Sequence, residues 1–189
     1  MPVARSYFID KKKTLKAPHI TYGGVTGAIT LIAAGTGSAG HLYALRNPST
    51  TVVVHVSRVR FGFNATTAFG AAQAMAFALF KLTGYSAAHA GATAITPAKR
   101  RTSHADASIA TARIADTGAL TAGTHTLATQ PLARAGAHST LPYFEYVYTP
   151  RDDHPLVLET NEGLLLRNEV LMGASGVGVG FIEVDGWER

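Results

Sequence analysis

The stretch RDDHPLVLETNEGLLLRNEVLMGASGVGVGFIEVDGW, residues 151–187, decides the fold. Apolar runs of strand length alternate with turn chemistry: Leu156–Leu158, then Thr160-Asn161-Glu162-Gly163, then Leu164–Met172, then Gly173–Gly176, then Val177–Trp187. This reads as a C-terminal β-meander, with Gly163 supplying the positive φ of the first turn. Gly178 and Gly180 share the parity of Ile182 and Val184, which predicts a bend or a close backbone approach. The acids invite a second reading. Asp152, Asp153, His154, Glu159, Glu162 and Glu169 lie close together in sequence. A glycosidase pair, however, needs carboxylates facing each other across roughly 5–10 Å of a cleft. Acids flanking a turn point into water. Arg167 and Glu169 share a strand parity, so they pair with a neighbouring strand or meet a second subunit.

The same grammar runs upstream. In HLYALRNPSTTVVVHVSRVRFGF, residues 41–63, Asn47-Pro48-Ser49 is a turn before a long strand. Val52, Val54 and Val56 share one face, but Val59, Phe61 and Phe63 fall on the other parity. The switch predicts a β-bulge near Ser57–Arg58, or a strand buried on both faces. Across 71–82, Met75, Phe77 and Leu79 alternate with Ala74, Ala76 and Ala78. The alternation reads as a strand ended by Thr83-Gly84, with a helix as the rival reading because alanine favours helices. Residues 86–107 read as a long loop with a basic tip at 97–103. SIATARIADT is a strand with Ala110, Ala112 and Ile114 on one face. THTLATQPLAR is an edge strand marked by Pro131. In YFEYVYTP, Phe144, Tyr146 and Tyr148 share one parity, with Tyr143, Glu145 and Val147 on the other. The expected fold class is therefore all-β: an antiparallel β-sandwich of jelly-roll type over 26–189, preceded by an extended N-terminal arm over 1–25.

Composition narrows the function. The 189 residues are 47% hydrophobic and only 15% charged, against roughly 25% charged in an average domain. Much of the surface must therefore be Ala, Gly, Thr and Ser, which suits packing against other subunits. The net charge of +5 sits partly in Lys11, Lys12 and Lys13 and in Lys99, Arg100 and Arg101. Two short basic clusters without a recognition motif favour solvated loops or contacts to an acidic protein surface over nucleic acid. The absence of cysteine removes disulfides, thiolate metal sites and cysteine nucleophiles. No signal-peptide core or membrane-length apolar run is evident, so a soluble chain made in the cytoplasm is expected.

Chemistry is sparse. The eight histidines (His19, His41, His55, His89, His104, His125, His138 and His154) show neither H-x-H nor H-x-x-x-H spacing. They are expected at the surface or in turns. Neither GTGSAG nor GGVTG continues as a phosphate loop, GVGVG lies late in a strand, and no nucleophile elbow occurs. No catalytic residue, cofactor or metal ligand is therefore assigned, and the chain is not read as an enzyme.

VVVHVSRVRFGF (52–63), LTGYSAAHAGATAITPAKRRTSHADA (82–107), LVLETNEGLLLRN (156–168) and VGFIEVDGW (179–187) together resemble small virion structural proteins of tailed bacteriophages. The resemblance covers about residues 41–189 and implies a virion component without catalytic residues. It leads to the expectation of a capsid decoration or cement protein, a homo-oligomer of trimeric type bound to the major capsid protein or other virion proteins. Expected assembly contacts are Lys11, Lys12, Lys13, Lys99, Arg100, Arg101, Tyr146, Tyr148, Arg167 and Glu169. The alternative is a tail- or fibre-associated module that binds host surface glycans on Tyr143, Tyr146 and Tyr148.

Overall fold

A computed structural model describes residues 19–27, 29–30, 40–68, 74–99, 108–116, 120–138, 143–151, 156–170 and 176–189. Their strands are β1 (His19–Val25), β2 (Ile29–Thr30), β3 (His41–Asn47), β4 (Val54–Thr67), β5 (Ala74–Ala87), β6 (Thr93–Ile95), β7 (Ala98–Lys99), β8 (Thr111–Ile114), β9 (Thr124–Leu127), β10 (Ala133–His138), β11 (Tyr143–Tyr148), β12 (Leu156–Leu158), β13 (Glu162–Asn168) and β14 (Val177–Glu188). They form two antiparallel sheets packed face to face. The first has the order β11-β4-β14-β1-β7, with β12 beside β4 and β2 beside β14. The second has the order β10-β5-β13-β3-β8-β6, with β9 beside β5. The β-sandwich expected from the alternating pattern is present.

The parity switch in β4 has the predicted cause. Opposite β14, Arg58 pairs with Asp185 while Val56 pairs with Gly186, so Ser57 is the extra residue of a bulge. The bulge turns Val54 and Val56 on one side, and Val59, Phe61 and Phe63 on the other, into the same core. Asp185 anchors it: the Arg58 guanidinium donates to Oδ2 from Nε at 3.0 Å and Nη2 at 2.6 Å, and the Ser57 hydroxyl donates to the Asp185 carbonyl. Residues 74–87 are a strand, not a helix. Met75, Phe77 and Leu79 enter the inter-sheet core, and Phe63 meets Phe77 at 5.3 Å between ring centroids.

The second sheet is buried on both faces. Ala78, Phe80 and Leu82 of β5, Leu165 of β13 and Ala44 of β3 face away from the first sheet. They pack with Tyr85, Ala115 and Leu120 in a second apolar cluster. That explains the unbroken Leu164-Leu165-Leu166: the outer two leucines enter the inter-sheet core and the middle one enters the second cluster.

Several expectations need correction. The C-terminal third is not a meander. β12 and β14 belong to the first sheet and β13 to the second, so consecutive strands cross between layers. Turn residues announce a reversal, but not which sheet receives the returning strand. The positive φ belongs to Asn161 (57°), whose short polar side chain tolerates that region. Gly163 serves close packing instead, because a Cβ there would strike the Leu45 carbonyl and the Tyr85 ring. Gly178 does allow a close approach, by the Phe63 ring, whereas a Cβ at Gly180 would find its nearest neighbours at an ordinary 3.5 Å. β5 does not stop at Thr83-Gly84. It continues through Gly84 (φ 57°) to Ala87. The loop expected over 86–107 contains β6 and β7, and the stretch around Pro131 divides into β9 and β10. Residues 19–25 are not an arm: β1 pairs with β14 along its whole length and sends Ile20 and Tyr22 into the core. Residues 1–18, with Lys11, Lys12 and Lys13, lie outside the described residues.

Candidate functional site

A cluster of histidines lies on the outer face of the second sheet, and a β-bulge creates it. Along β3 and β13, Leu166 pairs with Tyr43 but Arg167 pairs with His41, so Leu42 is extra. Leu42 and Tyr43 both enter the inter-sheet core, and His41 is left facing the outer layer. There it meets His89, from the segment after β5, and His125 of β9. His41 and His89 are both buried, which corrects the expectation of surface histidines.

The His89 backbone N–H donates to the Tyr85 hydroxyl oxygen at 3.2 Å, and the same hydroxyl lies 2.5 Å from His89 Nδ1. His89 Nε2 lies 3.0 Å from His41 Nδ1, so neutral His89 donates through one ring nitrogen and accepts through the other. His125 stacks on His89 with centroids 5.0 Å apart and planes at 21°. Burial is the main reason that all three imidazoles resist protonation. His41 is lowered to about 4, with the His125 and Arg167 charges adding to the effect, and His89 is lowered to about 3 by burial and its histidine neighbours. His125 is shifted the same way, opposed by the Gly123 carbonyl. Burial raises Tyr85 above the usual phenol range. The result is a relay of neutral groups that ties β3, β5 and β9 together. Among the described residues, no group of three or more His, Cys, Asp and Glu side chains is placed to hold a metal ion.

Beside this layer is an open cavity of about 430 Å³. Its floor is the outer face of β3, β8 and β6, where Ala44 pairs with Arg113, and Arg46 with Thr111. One wall is Tyr85 and His89. The Arg46 guanidinium donates from Nε to the Tyr85 carbonyl at 2.6 Å. Its Nη2 donates to the Ser86 carbonyl and to Asn161 Oδ1, both at 2.9 Å. Arg113 donates from Nη1 to the Gly91 carbonyl at 2.9 Å and the Ala92 carbonyl at 3.4 Å. It thereby braces a turn in which Gly91 (φ 71°) and Ala92 (φ 48°) are both left-handed.

The residues singled out in the sequence are scattered. Tyr146 and Tyr148 lie on β11, an outer edge of the first sheet. Tyr146 packs its ring against Phe61 at 5.6 Å, and Tyr148 is partly buried against the core. Tyr143 lies on the opposite face and donates to Glu145 at 2.6 Å. The three tyrosines therefore do not form one platform. Arg167 and Glu169 are together on the outer face of the second sheet, 3.4 Å apart. Arg167 lies 4.5 Å over the Phe80 ring, and Glu169 also pairs with Arg134 at 3.0 Å. Lys99 stands in β7, paired in register with Ile20, rather than in a loop. Arg100 and Arg101 lie outside the described residues. The sequence reading missed the histidine layer because its members come from two strands and the segment after a third, with no spacing signature. It missed the arginine pair because their pairing depends on which strand becomes the neighbour of β3.

No protein-family model matches the chain, and comparison with curated proteins and with solved structures finds no match.

Proposed function

We propose that the chain is a structural subunit of a tailed-phage virion, a capsid decoration or cement protein that stabilises the shell by burying surface against neighbouring copies and capsid protein. The observation that carries this reading is the outer edge of β11. Among the described residues this strand pairs only with β4. It leaves Tyr143, Tyr146 and Val147 exposed by 53%, 37% and 48%. An edge with open backbone donors and acceptors, lined by tyrosine and valine, is a template for another chain. The low charge and the resemblance described above support the same reading. So does the β-sandwich, for which we propose the jelly-roll type, with residues 1–18 as the arm that reaches a neighbour. No specific observation favours a glycan-binding module, since the tyrosines offered for stacking face two ways. Light scattering on the purified chain tests the assembly: the proposal expects a trimer, and Val147→Lys shifts it towards monomer. A monomer at every concentration contradicts it.

A further inference from the structure

We propose that the cavity beside the histidine layer is a binding site for a small organic anion, its acidic head between Arg46 and Arg113 and its apolar body on the alanine floor. The two arginines occupy diagonal positions on one face of neighbouring antiparallel strands, because Arg46 is opposite Thr111 and Arg113 opposite Ala44. Such positions are about 7–8 Å apart at the backbone, and both side chains line the one cavity. Both side chains are half-buried. Among the described residues neither is within ion-pair distance of a carboxylate. Their bonded partners are neutral carbonyl oxygens, so among the described residues both positive charges are partly desolvated without a counter-charge.

Those bonds also orient the heads. Arg46 is gripped through Nε and Nη2, and Arg113 through Nη1. Among the described residues Arg46 Nη1 and Arg113 Nε and Nη2 have no bonded partner, which leaves them as donors for an acidic group in the cavity. Ala44 and Ala94 form an apolar floor without bulk, and the Thr111 side chain stands beside Arg113 on the same strand. The volume of about 430 Å³ suits a small molecule and the mixed lining suits an amphipathic one. The inference stands apart from the assembly role, since it rests on the opposite sheet from β11.

Titration with sodium benzoate, inorganic phosphate and benzyl alcohol, followed by amide NMR, tests the site. Benzoate is expected to give saturable shifts around Thr111, Arg113 and Ala94, with phosphate and benzyl alcohol each at least about tenfold weaker. Arg113→Gln is expected to weaken benzoate by about tenfold. Ala94→Leu, which fills the floor at an exposed position, has the same effect with the thermal midpoint unchanged, so it decides the matter if Arg113→Gln fails to fold. The proposal is overturned by an absence of saturable benzoate binding, by benzyl alcohol or phosphate binding as tightly as benzoate, or by benzoate affinity that survives both substitutions.

Discussion

Nε2 of His89 lies 3.0 Å from Nδ1 of His41 in a buried layer where both rings are neutral. The consequence is acid sensitivity. Their protonation is suppressed in the folded state, to about 3 for His89 and about 4 for His41, against 6.5 for an ordinary histidine. Below pH 6.5 the unfolded chain therefore binds more protons than the folded one, and stability falls as pH falls. Tyr85, His125 and Arg167 face the pair and offer no negative charge to offset protonation. Urea unfolding at pH 7 and pH 5 should differ by up to about 2 kcal/mol for each buried histidine. His89→Gln should flatten the dependence. A stability unchanged between these pH values contradicts the neutral relay.

Ser57 holds the two halves of β4 in phase. Deleting it removes the bulge opposite Asp185 and Gly186, and one half of the strand must turn its valines or phenylalanines to the wrong face. Exposing two or three such side chains costs on the order of 4 kcal/mol or more, a large share of the stability of a typical domain. The deletion variant should be insoluble or lack a cooperative melting transition. Wild-type-like melting would show that the parity switch is accommodated some other way.

Gly163 and Gly180 both lie in strands but differ in their surroundings. A methyl group at Gly163 meets the Leu45 backbone carbonyl and the Tyr85 ring, whereas one at Gly180 finds its nearest neighbours at 3.5 Å. Gly163→Ala should destabilise by at least about 2 kcal/mol and Gly180→Ala by less than about 1 kcal/mol. Chemical denaturation of the two variants measures the difference, and equal effects would contradict the close packing at Gly163.

How much of this was legible in the sequence follows from the range of each interaction. The Ser57 bulge and the strand around Met75, Phe77 and Leu79 were readable because they are properties of a single strand, written in its parity. The identity of β1 was not, since its only core signals, Ile20 and Tyr22, lie between Pro18 and Gly23-Gly24. Nor was the crossing of β12, β13 and β14 between sheets, which is settled by partners far away in the chain. The histidine layer needed a bulge at Leu42 to turn His41 outward, and its members carry no common spacing. The arginine pair became visible only once β8 was known to lie beside β3.

Ala92 adopts φ 48° at the turn braced by Arg113. An L-residue in this region is strained by about 1–2 kcal/mol, and glycine relieves that strain while adding freedom to the unfolded chain. Ala92→Gly should therefore be neutral to stabilising, by up to about 1 kcal/mol, and Ala92→Val destabilising. A thermal melt of both variants is sufficient, and loss of stability in the glycine variant contradicts the strained turn.

In the proposed role this chain coats a phage shell, and separating purified particles into heads and tails and locating the protein by mass spectrometry decides whether it does. The protein is expected on heads, removable by high salt, with stripped heads becoming fragile and regaining strength when the purified chain is added back. Recovery of the protein with tails, or stripped heads as robust as coated ones, would contradict it.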